Sequence, residues 1–362
     1  MIKKIGIMTG GGDCPGLNAV IHAVVRSAVN SYGWQVLGFR DGYRGLVLND
    51  YVELNSDSVI GLLDRGGTVL GTSNKDNAFD FRVELPDGGV EYRDLSAQVI
   101  SNLRADGVDA LIIIGGDGTM TAAELFHKLG VTVIGVPKTI DNDLCGTDVT
   151  FGFNTAVDTA TGALDKLHST AESHHRLMVL EVMGRYAGWI ALASGLAGGA
   201  DIILIPELPY DIGKVQAAIA RRRAAGRHFS IIVVAEGAAP LGGEMVTKRI
   251  IAGSPDPVRL GGVGAVVAQQ LEQLTGMEAR TTVLGHLQRG GRPIPYDRLL
   301  ATRFGAAAAQ ALKDGISGCM VALRGSDIVT VPLAEIAGKQ RLIGKDEELV
   351  EIGRRLGVCF GD

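Results

Sequence analysis

Two short segments hold most of the side chains that could do chemistry. Gly115-Gly116-Asp117-Gly118-Thr119 combines glycines, whose backbone N–H groups can approach phosphate oxygens closely, with one carboxylate. A carboxylate does not attract phosphate by itself, so a bridging Mg2+ is the natural partner of Asp117. Pro137-Lys138-Thr139-Ile140-Asp141-Asn142-Asp143 then sets two more carboxylates, a hydroxyl and an amide close together. One carboxylate for a metal and another for a hydroxyl proton is the minimum set for phosphoryl transfer to an alcohol.

The elements around these segments explain how they would be positioned. Leu111 to Ile114 is a short, mostly β-branched run that predicts a strand, Met120 to Leu129 a helix, and Val131 to Val136 a second strand. Strand, glycine turn, helix and strand form a βαβ unit with both loops at the carboxyl ends of their strands, the edge where open parallel sheets bind ligands. The same pattern opens the chain. Lys4 to Thr9 reads as a strand, Gly10 to Gly16 as a glycine loop, and Leu17, Val20, Ile21, Val24, Val25 and Ala28 mark one face of a helix. It recurs at Leu177 to Val182, followed by Met183-Gly184-Arg185-Tyr186-Ala187-Gly188 and an apolar helix.

Trp34 to Phe39, Asp201 to Ile205 and Ile231 to Ala235 are further strands, and Asp41 to Leu46 reads as a loop. Arg82 to Leu85 and Val90 to Arg93 flank Pro86-Asp87-Gly88-Gly89 as a hairpin. Ala97 to Leu103 and Val266 to Leu274 read as helices, and Asp148 to Ala156 leads into another that runs through His168. Leu241 to Gly264 is rich in Gly and Pro and reads as a loop.

With 362 residues there is room for two domains, and a 46% hydrophobic content excludes disorder. No apolar run reaches the length of a membrane span. The N-terminal MIKKIGIMTGGGD has too short an apolar portion for a signal peptide. Four cysteines without CxxC spacing suggest reduced thiols in a cytoplasmic protein. A net charge of −5 argues against nucleic acid as the main partner and requires any phosphate site to concentrate its cations locally. His174 and His175 suggest a metal, but no third ligand stands at suitable spacing. Arg221-Arg222-Arg223, with Arg227, reads as a solvated helix end.

GGDGT followed by PKTIDND resembles the phosphofructokinases, which phosphorylate fructose 6-phosphate at its 1-hydroxyl. GGDGT alone is shared with NAD kinases and diacylglycerol kinases, but those lack TIDND and the later LGHxQRGG. Gly10 to Asn18 resembles the family's first nucleotide loop, Asp41 to Leu46 its DGYxGL segment, and Met183-Gly184-Arg185 its MGR. Arg280 to Gly291 follows the RxxxLGHxQRGG motif closely, bringing Arg280, His286 and Arg289 into one short stretch. The likeness covers Met1 to Ala322 and weakens from Leu323 to Asp362.

The resemblance implies an α/β fold of two similar Rossmann-like three-layer domains with mainly parallel sheets and an active site in the cleft between them. The donor-binding domain would span 1–150 plus about 288–336, and the fructose 6-phosphate domain 151–287 plus about 337–362. Asp141 is then the general base, with Thr139, Asp143 and Arg185 as the other catalytic groups. Gly11, Tyr43, Asn74, Lys75, Gly116, Asp117, Gly118, Thr119 and Lys138 would bind the donor, and Asp117 the Mg2+. Arg176, Met183, Gly184, Arg185, Glu236, Arg280, His286 and Arg289 would hold the sugar phosphate, together with Thr139 and Asp141.

Donor choice is mixed in the motif. ATP-using relatives place an arginine where Asn74 stands, so Lys75 would have to substitute. Pyrophosphate-using relatives carry aspartate at the place of Gly118, which favours ATP here, yet they also carry a lysine at that of Lys138. The family further implies a homo-oligomer, a tetramer in which Arg176 and Arg280 reach the neighbouring site. Arg26 and Arg65 match family effector contacts, while His22 and His168 replace arginines. A non-catalytic sugar-phosphate sensor is the other class, and it would be expected to lose the base that Asp141 retains.

Overall fold

The computed structural model describes residues 2–86, 88–250 and 258–362. The chain divides into two compact units. One comprises Met1–Thr139, Leu144–Gly152 and Arg289–Gln340; the other comprises Ile140–Asp143, Phe153–Gln288 and Arg341–Asp362.

The first unit opens with β1 (Lys4–Thr9), α1 (Leu17–Arg26), β2 (Gln35–Phe39), α2 (Tyr43–Leu48) and β3 (Tyr51–Leu54). It continues with β4 (Phe81–Glu84), β5 (Val90–Arg93), α3 (Ser96–Ala105), β6 (Ala110–Gly115), α4 (Asp117–Lys128), β7 (Val133–Thr139) and the short β8 (Phe151–Gly152). The second unit supplies α5 (Phe153–His174), β9 (Leu177–Val182), α6 (Trp189–Ala197), β10 (Ile202–Leu204), α7 (Ile212–Ala224) and β11 (Ser230–Ala235). It goes on through β12 (Thr247–Ile250), β13 (Val258–Leu260), α8 (Val263–Thr275) and β14 (Ala279–Val283). The chain then returns to the first unit with α9 (Pro295–Lys313), β15 (Cys319–Arg324), β16 (Asp327–Pro332) and α10 (Leu333–Ile336), and ends in the second with α11 (Glu348–Arg355).

The first unit is built on a sheet of order β16-β15-β7-β6-β1-β2-β3, with β8 pairing β7. Its centre is parallel, and only β3 and β16 run antiparallel at the edges. Leu111 and Ile113 of β6 pack with α2, α3 and α4 on one face. Helices α1 and α9 cover the other, so β6 is buried on both sides and reads as a continuous apolar run. The second unit carries a wholly parallel sheet of order β10-β11-β9-β14. Leu177 and Val179 of β9 face α7 and α8, while α5 and α6 pack against the opposite face. Both units are therefore three-layer α/β structures. Among the described residues no helix is long and apolar enough to cross a membrane.

The elements differ from the sequence reading in places with physical reasons. Asp41 to Leu46 is not simply a loop: Tyr43–Leu48 is helical because Tyr43, Leu46 and Val47 bury one face against the core. The stretch from Leu241 to Gly264 contains the antiparallel pair β12 and β13, and α8 begins three residues before Val266. Residues 251–257 of that stretch lie outside the described residues, as does Asp87 of the hairpin turn. Helix α5 runs on to His174 rather than stopping at His168, and α4 starts at Asp117, inside the glycine motif.

Helix α8 begins against a buried carboxylate. Glu181, on β9, accepts backbone N–H bonds from Gly262 at 3.0 Å and Gly264 at 2.8 Å. The fit is close, since a Cβ on Gly264 would lie 3.1 Å from Glu181. This carboxylate satisfies amide groups that a helix start leaves without intrahelical partners. Glu181→Ala would leave the buried Gly264 amide unpaired, so equilibrium urea denaturation should show a loss of about 1–3 kcal/mol. A change below about 0.5 kcal/mol would mean that water replaces the carboxylate.

Candidate functional site

In the first unit the site grows from the register of β1 and β6. Thr9 pairs with Ile114, and the next amide, Gly10 N–H, donates to the Ile114 carbonyl at 2.8 Å. Two glycine loops, Gly10–Gly16 and Gly115–Gly118, are thereby held side by side. The helices that follow them leave to opposite faces of the sheet, α1 to one and α4 to the other. A crevice at such a switch point is where open α/β sheets take ligands.

The first loop is braced from below and beside. Gly11, in the left-handed region at φ 75°, donates its N–H to Ser73 O at 3.1 Å, and Thr72 Oγ1 donates to Gly11 O at 2.6 Å. These bonds set the exposed Asn74 and Lys75 beside the loop. Lys138, only 4% exposed, extends from the end of β7 and donates from Nζ to Gly12 O at 2.5 Å. Arg289 lies on the same loop, donating from Nη1 to Asp13 O at 3.1 Å. A Cβ on Gly12 would stand 2.4 Å from that nitrogen, so a larger residue there would push the guanidinium aside.

The second loop is open. Gly116 is the N-cap of α4, in an extended conformation and without a side-chain cap. Gly118 is exposed, and nothing lies within 4 Å of where its Cβ would be. Asp117 stands in the first turn of α4 and accepts from Gly338 N at 3.2 Å. Thr119 is buried, and its carbonyl accepts the Tyr43 hydroxyl at 2.9 Å. Tyr43 itself is 5% exposed and stacks on Phe126, so it supports the loop from the core.

In the second unit the chemistry-bearing residues gather at the carboxyl ends of β9, β11 and β14. Glu236 N donates to Val182 O at 2.9 Å and Gly237 N to Gly184 O at 3.1 Å, joining Glu236 to the Met183–Arg185 loop. Gly237 alone permits this, since a Cβ would fall 1.8 Å from Arg185 O. Gln288, fully buried, accepts from Met183 N at 3.4 Å and donates to Gly285 O at 3.1 Å. It ties the turn carrying the exposed His286 to the same loop. Residues Ile140–Asp143 also belong to this unit, with Asn142 left-handed at φ 53° and the Asp143 carbonyl accepting Arg341 N at 2.7 Å.

Arg176 and Arg280 meet at one carboxylate. Arg176 Nε donates to Glu278 at 2.5 Å, and Arg280 binds its other oxygen. The hydrogen bond from Arg176 is the largest effect holding the Glu278 carboxyl below its usual range, with the charge of Arg280 adding to it. Arg280, His286 and Arg289, close in sequence, are divided by the structure. The first two belong to the second unit and Arg289 to the first, on the Gly10–Gly16 loop. Gln288, Glu278, Thr72 and Ser73 were not singled out from the sequence. Gln288, Thr72 and Ser73 act through backbone groups, which leave no pattern of residue types, and Glu278 acts through two arginine side chains that only the fold brings to it.

Helix starts differ between the units. Glu181 covers that of α8, and Glu207 covers that of α6 through Gly188 N at 3.0 Å. Burial raises the Glu207 carboxyl, with the amides of Ile343 and Gly188 opposing. Helix α4 instead leaves its positive end beside Gly118, as an anion site needs. No group of three or more His, Cys, Asp or Glu gathers among the described residues, His174 and His175 included. A metal held by one carboxylate and substrate phosphates needs no such group.

A family model described as phosphofructokinase matches residues 4–312. ATP-dependent 6-phosphofructokinase 2 of Clostridium perfringens is 55% identical over 362 residues, covering 100% of this chain and 99% of that protein. Pyrophosphate–fructose 6-phosphate 1-phosphotransferase of Streptomyces coelicolor is 53% identical over 359 residues, covering 99% of this chain and 100% of its own. The crystal structure of Pichia pastoris phosphofructokinase in the T-state superposes with a TM-score of 0.78 at 35% identity. It covers 93% of this chain, which spans 35% of that longer one.

Cys14 lies in the first loop but is fully buried, and burial pushes its thiol up to about 12. A raised pKa keeps the proton on below that pH, so at pH 8 the reactive thiolate is nearly absent. A thiol reagent at pH 8 should leave Cys14 unlabelled in the folded protein and label it in denaturant, as read by peptide mass spectrometry. Native labelling of Cys14 as fast as that of Cys145 would show the loop to be open.

Proposed function

The chain belongs to the phosphofructokinase family, and from that premise we propose that it is an ATP-dependent 6-phosphofructokinase. It transfers the γ-phosphoryl group of ATP to the 1-hydroxyl of fructose 6-phosphate, giving fructose 1,6-bisphosphate. The observation that carries ATP over pyrophosphate is Gly118. It is exposed beside the start of α4, with no atom within 4 Å of a Cβ position, and so leaves room for a nucleotide's α-phosphate. Lys138, the feature that pointed the other way, is buried with its Nζ on Gly12 O, where it supports the loop.

The roles follow from the two sets of groups. Gly11, Gly116, Gly118 and Thr119 offer the donor a backbone lining, with Asn74 and Lys75 beside it and Tyr43 and Lys138 beneath. Asp117 would hold Mg2+, which neutralises phosphate charge when bound. Asp141 takes the proton of the 1-hydroxyl as its oxygen attacks phosphorus in line. Asp143 orients that hydroxyl, and Thr139 and Arg185 donate to the transferring group, whose spread charge preorganised donors stabilise. Met183, Gly184 and Glu236 hold the sugar, while His286, Arg289, Arg176 and Arg280 bind its 6-phosphate. Segments 1–139, 144–152 and 289–340 are assigned to the donor, and 140–143, 153–288 and 341–362 to the sugar.

A homo-oligomer belongs to the proposal, a tetramer in which Arg176 and Arg280 serve a neighbouring site. Their shared hold on Glu278 supports a joint role. So does a cytoplasmic location, for which the four free cysteines are suited.

Asp141→Asn keeps the shape of the base without its proton affinity. Steady-state assays should show kcat lower by about 10²–10⁴, and a near-normal kcat would move the base to Asp143. A second measurement compares ATP with pyrophosphate in the unmodified protein and in Gly118→Asp. The space at Gly118 makes the substitution mild for the protein itself, so its effect should fall on the donor, with crowding and like-charge repulsion both acting on the α-phosphate. ATP turnover should fall about a hundredfold or more, roughly 1.4 kcal/mol for each factor of ten, and pyrophosphate turnover should not. An unmodified protein faster with pyrophosphate would reverse the donor assignment.

A further inference from the structure

The segment Arg341–Ile343 has no regular secondary structure, yet its polar backbone groups meet a specific set of partners. The Arg341 N–H donates to the Asp143 carbonyl at 2.7 Å. Its own carbonyl accepts the Trp189 indole N–H at 3.0 Å, and its guanidinium carbon sits 4.5 Å from the centroid of the Trp189 ring. Two residues on, the Ile343 N–H donates to Glu207 at 3.0 Å. The same carboxylate takes the N–H of Gly188, the residue before Trp189. All of these residues lie in the second unit.

The arrangement is a clamp with one fixed and one deliverable side. Trp189 is almost fully buried at the first turn of α6, and Glu207 follows directly on the β10 end of the sheet. Against these the strap is pinned by two hydrogen bonds and a cation–π contact. So held, the strap aims the Arg341 amide at the carbonyl of Asp143. Asn142, the preceding residue, holds a left-handed conformation at φ 53°, which a surrounding structure must stabilise. Asp141 stands one residue earlier.

We propose that Trp189, Arg341 and Glu207 form a positioning bracket that sets the geometry of the Ile140–Asp143 loop and so aims the Asp141 carboxylate. The inference rests on the reading of Asp141 as the base. These are positioning residues, acting through the backbone of Asp143. A proton-accepting carboxylate loses rate steeply when displaced, by about 10²-fold for an ångström.

Trp189→Phe deletes the indole N–H and keeps an aromatic face, and Arg341→Met keeps the stem and removes the charge. Each should lower kcat about tenfold or more while the KM for either substrate stays within about twofold. Hydrogen exchange read by mass spectrometry should quicken in peptides covering 139–144 and 340–344 and stay unchanged in β6. Arg341→Lys, which returns a cation to the ring, should recover most of the rate. The double variant should lose little more than the worse single one, since both act in one unit. Unchanged kcat with faster exchange would reduce the bracket to a packing feature and overturn the proposal. So would unchanged exchange in both variants, or a fall in kcat matched by equal rises in both KM values. Should Trp189→Phe not fold, Arg341→Met and Arg341→Lys carry the same test. Absence of phosphoryl transfer in the unmodified protein would defeat the functional reading instead, because the exchange experiment needs no activity.

Discussion

The pairing of β1 with β6 is the constraint on which the first unit depends. Five successive residue pairs, from Ile5 with Ala110 to Thr9 with Ile114, fix where both strands stop. A slip of one residue would turn every side chain to the other face and separate the glycine loops. Because the strands are buried on both sides, the apolar interior sets the register that places polar atoms at the edge. Precision at the glycine loops is thus a product of packing some distance away, and Lys138, Arg289, Thr72 and Tyr43 only lock what the register has delivered.

The same economy of polar groups explains how an acidic chain can host anionic ligands. Several carboxylates are committed internally. Glu181 and Glu207 meet helix amides, Glu278 gathers two arginines, and Asp201 pairs with Arg222. Negative charge placed in this way is neutralised locally and does not repel a phosphate elsewhere. The start of α4, by contrast, carries no side-chain cap. The net charge of −5 therefore says little about the field at the site.

Much of this was legible in the chain. Alternating strand and glycine loop identified both βα halves, and β1 and β9 begin and end where the apolar runs do. The glycine motifs marked the turns at the ends of β1 and β6, because a tight strand-to-helix turn demands particular residue types. What the sequence hid depends on distant backbone atoms. No local pattern marks Gln288 as the partner of Met183, or Arg341 as the partner of Asp143, since the acceptors are carbonyls and amides that every residue carries. The strand at Ala279–Val283 was masked by its polar alternation at a sheet edge, and the helix at Tyr43–Leu48 by the glycines that flank and interrupt it. Nor does any local pattern mark the point where the chain changes unit, which falls between Gln288 and Arg289, inside a single motif.

That change of unit bears on how the protein is made. Helix α9 and strands β15 and β16 come from the last quarter of the chain, yet α9 packs along α1 and against β7, near the start. During synthesis the first unit must wait with that apolar face uncovered until residue 313 and beyond have left the ribosome. Neither unit can be completed as the chain emerges, and neither is a continuous segment that could be produced by truncation. An early-made hydrophobic surface with a late-made cover is a demand for chaperone shelter, written into the order of the elements.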